Sequence, residues 1–228
     1  KNIFGSEYEL DLGEVTEKTR YRKIFTEGYG KRVLFVGIIW TCQIIPMFAI
    51  YTFGPQILSS FGLESGNLSI LGDIVISFFF MAGCLPAMFW MNSVGRRSLC
   101  IGCFFVMLVA LLVLGLFPNA PLLVIIGAFA VYAIASGGPG VLEWLYPNEL
   151  FPTSIRASAV GAAMGISRVG SIIATYLLPS FLKAYGISST MFAGAGITLF
   201  GLLISVAWAP ETTNLTLSES SSVSAGRR

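Results

Sequence analysis

The sequence predicts an all-α integral membrane protein, on three observations. Hydrophobic residues make up 55% of the chain and charged residues 11%, against about 25% charged in an ordinary soluble domain. The mean hydropathy is +0.78. The charges are also segregated: positions 1–32 hold seven of the fourteen basic and six of the twelve acidic residues, while 33–208 hold five and four. A soluble fold of 228 residues needs a polar skin that this composition cannot supply. A net charge of +2 without a basic stripe gives nucleic acid nothing to bind, and no nucleic-acid partner is expected.

About 20 apolar residues carry a helix across the roughly 30 Å hydrocarbon core. Six stretches qualify: Val33–Phe61, Leu68–Met91, Leu99–Phe117, Leu122–Tyr146, Ile155–Leu182 and Met191–Trp208. Their apolar runs are continuous rather than alternating, which favours helices over a barrel. Short, turn-rich connections separate them: Gly62–Gly66, Asn92–Gly95, Phe117–Pro121, Pro147–Pro152 and Ala184–Gly186. Consecutive helices are therefore expected to run alternately up and down as neighbours. Pro46, Gly54 and Pro55 are expected to interrupt the first span, and Ser136-Gly-Gly-Pro-Gly140 the fourth. Backbone groups freed by such breaks are tolerated only against protein or a wet cavity, and in transporters they often mark a substrate path or a hinge.

The basic residues of the short loops set the orientation. Lys31 and Arg32, Arg96 and Arg97, Arg156, and Arg227 and Arg228 fall on one side, and Lys183 alone on the other. Both ends of the chain are thereby placed in the cytoplasm, with the protein in the plasma (inner) membrane and the lipid bilayer as its surroundings. The four cysteines, Cys42, Cys84, Cys100 and Cys103, sit in apolar runs. Cys100 and Cys103 form a C-x-x-C, but with no histidine and no second such pair they read as small packing residues. No metal or cofactor is expected. With no nucleophile triad and no Walker motif, neither an enzyme nor an ATP-driven pump is expected.

The polar exceptions carry the functional signal. Arg168 lies twelve residues after Arg156, about 18 Å along a helix, which puts it near the bilayer midplane. An arginine there costs at least about 2.5–3.5 kcal/mol on insertion scales, so it should face a partner or a water-filled cavity. Gly161, Gly165 and Gly170 surround it, and Gly161-x-x-x-Gly165 suggests close helix packing. Its guanidinium can bind a carboxylate bidentately or serve a structural salt bridge. Glu143 follows the Gly-Gly-Pro-Gly segment and can bind a proton, contact substrate or pair with a cation. Asp73, near the outer end of the second span, is a second proton-site candidate. Gln43 and Trp144 lie at depths where a cavity is expected.

Three motifs make the chain recognisable. Asn92-Ser-Val-Gly-Arg-Arg97 resembles D-R-x-G-R-R, Tyr146-Pro-Asn-Glu-Leu-Phe-Pro-Thr-Ser-Ile-Arg156 resembles Y-P-x-E-x-F-P-T-x-x-R, and Pro210-Glu-Thr212 with Leu215-Thr-Leu217 resembles P-E-T-K-G-x-x-L. The chain resembles the C-terminal half of a major facilitator superfamily transporter, in the sugar-porter and organic-ion group. The resemblance implies six transmembrane helices, numbers seven to twelve of a twelve-helix fold. It further implies a cytoplasmic loop at 1–31, a membrane half-domain at 32–209 and a cytoplasmic tail at 210–228.

Residue roles follow from the same resemblance. Gly95, Arg96, Arg97, Glu149 and Arg156 match a cytoplasmic charge network that holds the two halves together in the outward-open state, and Glu211 matches the acid of the terminal motif. Gln43 matches the second glutamine of the sugar-porter Q-Q pair, and Trp144 a tryptophan lining the cavity. The departures bear on substrate. Cys42 replaces the first glutamine, Phe48 stands where sugar porters have a substrate-binding asparagine, Glu143 replaces a proline, and Asn92 replaces the loop aspartate. Ser167–Ile173 resembles organic-ion and carboxylate transporters, which carry an arginine at the position of Arg168.

The expectation is therefore secondary active transport of a small organic solute, an organic anion or carboxylate rather than a sugar. It would be coupled to protons through Glu143 or Asp73 and work by alternating access. Arg168, Glu143, Trp144, Gln43 and Phe48 are the expected substrate contacts. A sugar transporter of the same fold, and a non-transporting receptor or scaffold, are the competing classes. Either way the chain reads as a piece of a longer protein, and its working partner is a missing N-terminal six-helix half.

Overall fold

The structure, a computed structural model, describes residues 28–60 and 66–212. Most of the expected cytoplasmic loop, the Gly62–Gly66 turn up to residue 65, and the tail with Leu215-Thr-Leu217 and Arg227-Arg228 lie outside the described residues. Five helical elements follow in order: α1 Gly30–Ser60, α2 Gly66–Val94, α3 Arg96–Leu116, α4 Leu122–Leu150 and α5 Thr153–Trp208. All five contain segments long and apolar enough to cross a membrane.

The expected fifth and sixth spans are joined in α5, so the described chain has five continuous helices where six were expected. A straight helix of 56 residues would be about 84 Å long, well beyond a bilayer. Within it Gly186 leaves helical geometry at φ 76°, ψ 178°, a region open to a residue without Cβ. The two arms fold back on each other there. The end of the second arm lies beside the start of the first, because Tyr146 Oη donates to the Pro210 carbonyl at 2.9 Å and Thr212 Oγ1 donates to Glu149 Oε2. Six crossings are thus preserved, with the expected Ala184–Gly186 loop compressed to one glycine.

The interruptions expected in the first and fourth spans are absent: α1 runs through Pro46 and Pro55, and α4 through Pro139 and Pro147. A proline removes one backbone donor and crowds the carbonyl four residues earlier. Here that loss stays local, and neighbouring helices bury Pro46, Pro139 and Pro147. Residues 135–139 of α4 are all buried, and Ser136 Oγ bonds back to the Ala133 carbonyl at 2.8 Å. The helix also extends past Tyr146 to Leu150, so most of the expected Pro147–Pro152 turn is helical.

Packing is closest where α2 crosses α4. A Cβ on Gly83 would overlap the Ile134 carbonyl, and one on Gly137 would lie 2.6 Å from the Gly83 backbone. The first arm of α5 packs along α1, where a Cβ on Gly37 would come 3.0 Å from Ile166. The second arm packs on α3. The core has two parts. One surrounds Phe35, Trp40, Phe104, Tyr146 and Phe151, and the other surrounds Met107, Leu111, Phe129 and Tyr132. Outside this core, α2 exposes Leu71, Ile74, Phe78, Met81, Leu85 and Phe89, which recur at helical spacing on one face. So large an apolar face marks a membrane or partner contact.

Candidate functional site

Two constellations of polar groups stand out, one at the charged end of the bundle and one at mid-depth. At the charged end, Arg96 Nη2 pairs with Glu149 Oε1 at 3.0 Å, both side chains largely buried. Glu149 comes from the last turn of α4 and Arg96 from the first turn of α3. The Glu211 carboxylate meets that same turn through the backbone: Oε1 is 3.1 Å from the Arg96 nitrogen and Oε2 is 3.3 Å from the Arg97 nitrogen. Gly95 precedes the helix at φ 92° and offers no side-chain cap. Arg97 Nη2 donates to the Val206 carbonyl at 2.9 Å and Arg156 Nε to the Phe151 carbonyl at 3.1 Å. Arg32 Nη1 reaches the Leu150 carbonyl at 2.9 Å.

The motif residues Gly95, Arg96, Arg97, Glu149 and Glu211 are thus brought together, with Arg156 closing the turn between α4 and α5 beside them. Arg32, Tyr146 and Thr212 belong to the same cluster and were not singled out from the sequence as its members. The signal for Tyr146 is its position at the end of an apolar run, three residues before Glu149.

At mid-depth, the Arg168 guanidinium lies over the Phe48 ring, 5.8 Å from its centroid. Arg168 is exposed on α5 and Trp144 is exposed on α4. Among the described residues Arg168 and Glu143 make no ion pair. Glu143 is half-buried, and its Oε1 has no hydrogen-bond partner among the described residues. Gln43 is 1% exposed, so it is not open to the surroundings as Arg168 and Trp144 are. Gln43 and Glu143 instead line a small cavity of about 10 Å³ between α1, α3 and α4. Asp73 sits near the start of α2, and its side chain lies outside what the structure describes.

The close packing expected around Arg168 holds only at Gly170, where an added Cβ would overlap the Thr41 side chain at 2.5 Å. Gly161 and Gly165 meet no atom within 4 Å. Their face of α5 has no helix against it among the described residues. Cys100 packs in the core with Sγ 3.6 Å from Ser205 Oγ, and all four cysteines are free thiols.

The fold and these two clusters belong to an all-helical, multi-pass membrane protein. The profile of the sugar (and other) transporter family matches residues 7–223, and the chain belongs to that family. It is 57% identical over 221 residues to the putative metabolite transport protein YaaU of Escherichia coli K12, covering 97% of this chain and 50% of that protein. It is 29% identical over 215 residues to the inner membrane metabolite transport protein YgcS of the same organism, covering 94% of this chain and 47% of that one. The proton:xylose symporter XylE, solved with 6-bromo-6-deoxy-D-glucose, has the same fold. Its TM-score is 0.73 at 19% identity, over 86% of this chain and 43% of the symporter. The chain spans about half the length of the relatives it matches.

Proposed function

We propose that this chain is the C-terminal half of a proton-coupled secondary transporter for a small organic anion, working by alternating access with an N-terminal six-helix half. The observation that carries the reading is Arg168, an exposed guanidinium at mid-depth stacked on Phe48. A charge in that position is costly unless it serves a cavity or a partner, and a carboxylate is the ligand its fork geometry suits. Trp144, also exposed, offers an apolar face on α4. Glu143 is the coupling group, and Asp73 a second carboxylate near the opposite end.

The charged-end cluster of Gly95, Arg96, Arg97, Glu149, Arg156 and Glu211 serves as the cytoplasmic gate. Both ends of the chain lie in the cytoplasm and the protein sits in the inner membrane, a reading supported by the loop arginines and the bacterial relatives.

Sugar transport is the second reading, favoured by the family match. The burial of Gln43, the residue a sugar porter would use, speaks against it in this conformation. Uptake into inverted vesicles by the full-length protein, with and without a proton gradient, tests the proposal. Carboxylate uptake that accumulates only with the gradient is expected. Strictly downhill flux removes the symport, and uptake of neutral sugars in preference to carboxylates removes the anion.

A further inference from the structure

We propose that the small cavity between α1, α3 and α4 is a proton-holding site in which the Glu143 carboxylic acid donates a hydrogen bond to Gln43 Oε1, directly or across one water. The proposal rests on the reading of Glu143 as the coupling group and takes Gln43 out of the set of substrate contacts.

The cavity holds about 10 Å³, room for one water and no organic solute. Gln43 enters it from α1 and Glu143 from α4, with Trp40, Cys100 and Tyr146 among the walls. The Gln43 amide is directed by its nitrogen, which donates to Met47 Sδ at 3.5 Å. Its Oε1 is left buried with no donor among the described residues, and so is Glu143 Oε1. Two buried acceptors without donors each forfeit the desolvation cost of a polar oxygen. A proton on Glu143 turns one acceptor into a donor and satisfies the pair.

Of the elements packed here, α5 carries the cation Arg168, which lies over the Phe48 ring and makes no ion pair with Glu143. α3 presents the Cys100 thiol, 3.6 Å from Ser205 Oγ. On α4 Tyr146 donates its hydroxyl away to the Pro210 carbonyl. α1 presents Trp40 and Gln43, neither titratable, and α2 meets this stretch through Phe80, near Gly140. Gln43 thus serves Glu143 as an acid, while the carboxylate form would draw on Arg168. Uptake of one proton from water satisfies the Glu143–Gln43 pair and leaves Arg168 to a substrate carboxylate. Loss of the proton gives Arg168 a competing carboxylate in Glu143 and expels the anion. The exchange couples one proton to one anionic charge with no further reactant.

Infrared difference spectroscopy of the purified full-length protein tests this without requiring transport. A carboxylic-acid carbonyl band that titrates with pH is expected, absent in Glu143→Gln and moved in Gln43→Met to the frequency of an acid lacking its acceptor. If Gln43→Met does not fold, Gln43→Asn withdraws the carboxamide by one methylene and should move the band likewise. In vesicles, Gln43→Met should lower gradient-driven accumulation about tenfold, as loss of one hydrogen bond implies, with KM and solute exchange unchanged. A missing Glu143 band, a band indifferent to Gln43, or a raised KM in Gln43→Met overturns the proposal. The infrared outcome stands whether or not the protein proves to be a transporter.

Discussion

Glu211 caps α3 through the backbone of Arg96: its Oε1 lies 3.1 Å from the Arg96 nitrogen, and Oε2 spans to the next residue at 3.3 Å. The first N–H groups of a helix have no partner within it, and Gly95 cannot cap them. A carboxylate from beyond the end of α5 does so, adding a favourable charge at the positive end of the helix dipole. Glu211→Ala should cost about 1–2 kcal/mol, read as a lower thermal midpoint of the purified protein. Glu211→Gln, which keeps an acceptor and loses the charge, should lie between. Equal midpoints for all three would mean the cap adds nothing.

Gly95 is the counterpart of that cap. Its φ of 92° disfavours any L side chain, and an added Cβ would sit 2.8 Å from Glu211 Oε2. Gly95→Ala combines backbone strain of about 1–3 kcal/mol with displacement of the carboxylate. It should therefore destabilise more in a Glu211 background than in Glu211→Ala. A double-mutant cycle on thermal stability reads the difference.

Much of this was legible in the chain. The six crossings, the charged end and the membership of Arg96, Glu149 and Glu211 in one cluster follow from hydrophobic runs and motifs. The helix breaks expected at Ser136–Gly140 and Pro46 do not form, because proline and glycine report local propensity, while burial by neighbouring helices decides whether the helix continues. The turn at Gly186 is tighter than the expected Ala184–Gly186 loop, since sequence carries no record of how tightly two arms close. The seclusion of Gln43 from Arg168 was not legible at all. Both lie at suitable depth, but on α1 it is Phe48 that meets Arg168, while Gln43 lines the cavity with Cys100 and Glu143.

Arg96 and Glu149 bridge α3 and α4 with side chains 14% and 12% exposed. Removing one partner leaves the other desolvated, so Glu149→Gln and Arg96→Met should each destabilise. The pair removed together should cost less than the sum, because the orphaned charge is gone. A coupling energy of about 1–3 kcal/mol is expected from the cycle. Strict additivity would show that the pair contributes nothing beyond its separate contacts, such as the bond from Thr212 to Glu149.

The crossing of α2 over α4 tolerates no side chain at Gly83, whose missing Cβ would overlap the Ile134 carbonyl. The obstacle is backbone, so no rotamer change relieves it, and α2 must move. Overpacking costs about 1–3 kcal/mol where side chains can adjust. Gly83→Ala should reach the upper end of that range and Gly83→Val exceed it. Gly102→Ala on α3 is the control, since an added methyl there meets nothing within 4 Å. Its midpoint should be unchanged or slightly raised, as alanine favours the helix. A Gly83→Ala protein as stable as Gly102→Ala would mean the two backbones do not approach so closely.

Arg168 and Phe48 make the last prediction, which separates charge from geometry. Arg168→Leu removes the cation from mid-depth and spares the protein its insertion cost, so stability should hold or rise. Binding of a carboxylate to the full-length protein should nevertheless fall at least tenfold, the loss of a charged hydrogen bond of about 1.5–3 kcal/mol. Arg168→Lys keeps the charge but lacks the planar fork and the ring stacking. It should recover only part of the affinity. Phe48→Ala removes a ring contact worth about 0.5–2 kcal/mol, and should weaken binding less than Arg168→Leu and leave Arg168→Lys little changed. Thermal shift with carboxylates, neutral sugars and organic cations reads all three variants in one format. Carboxylate binding that survives Arg168→Leu, with its fold intact, would make the arginine structural and favour a receptor or sugar-binding role instead.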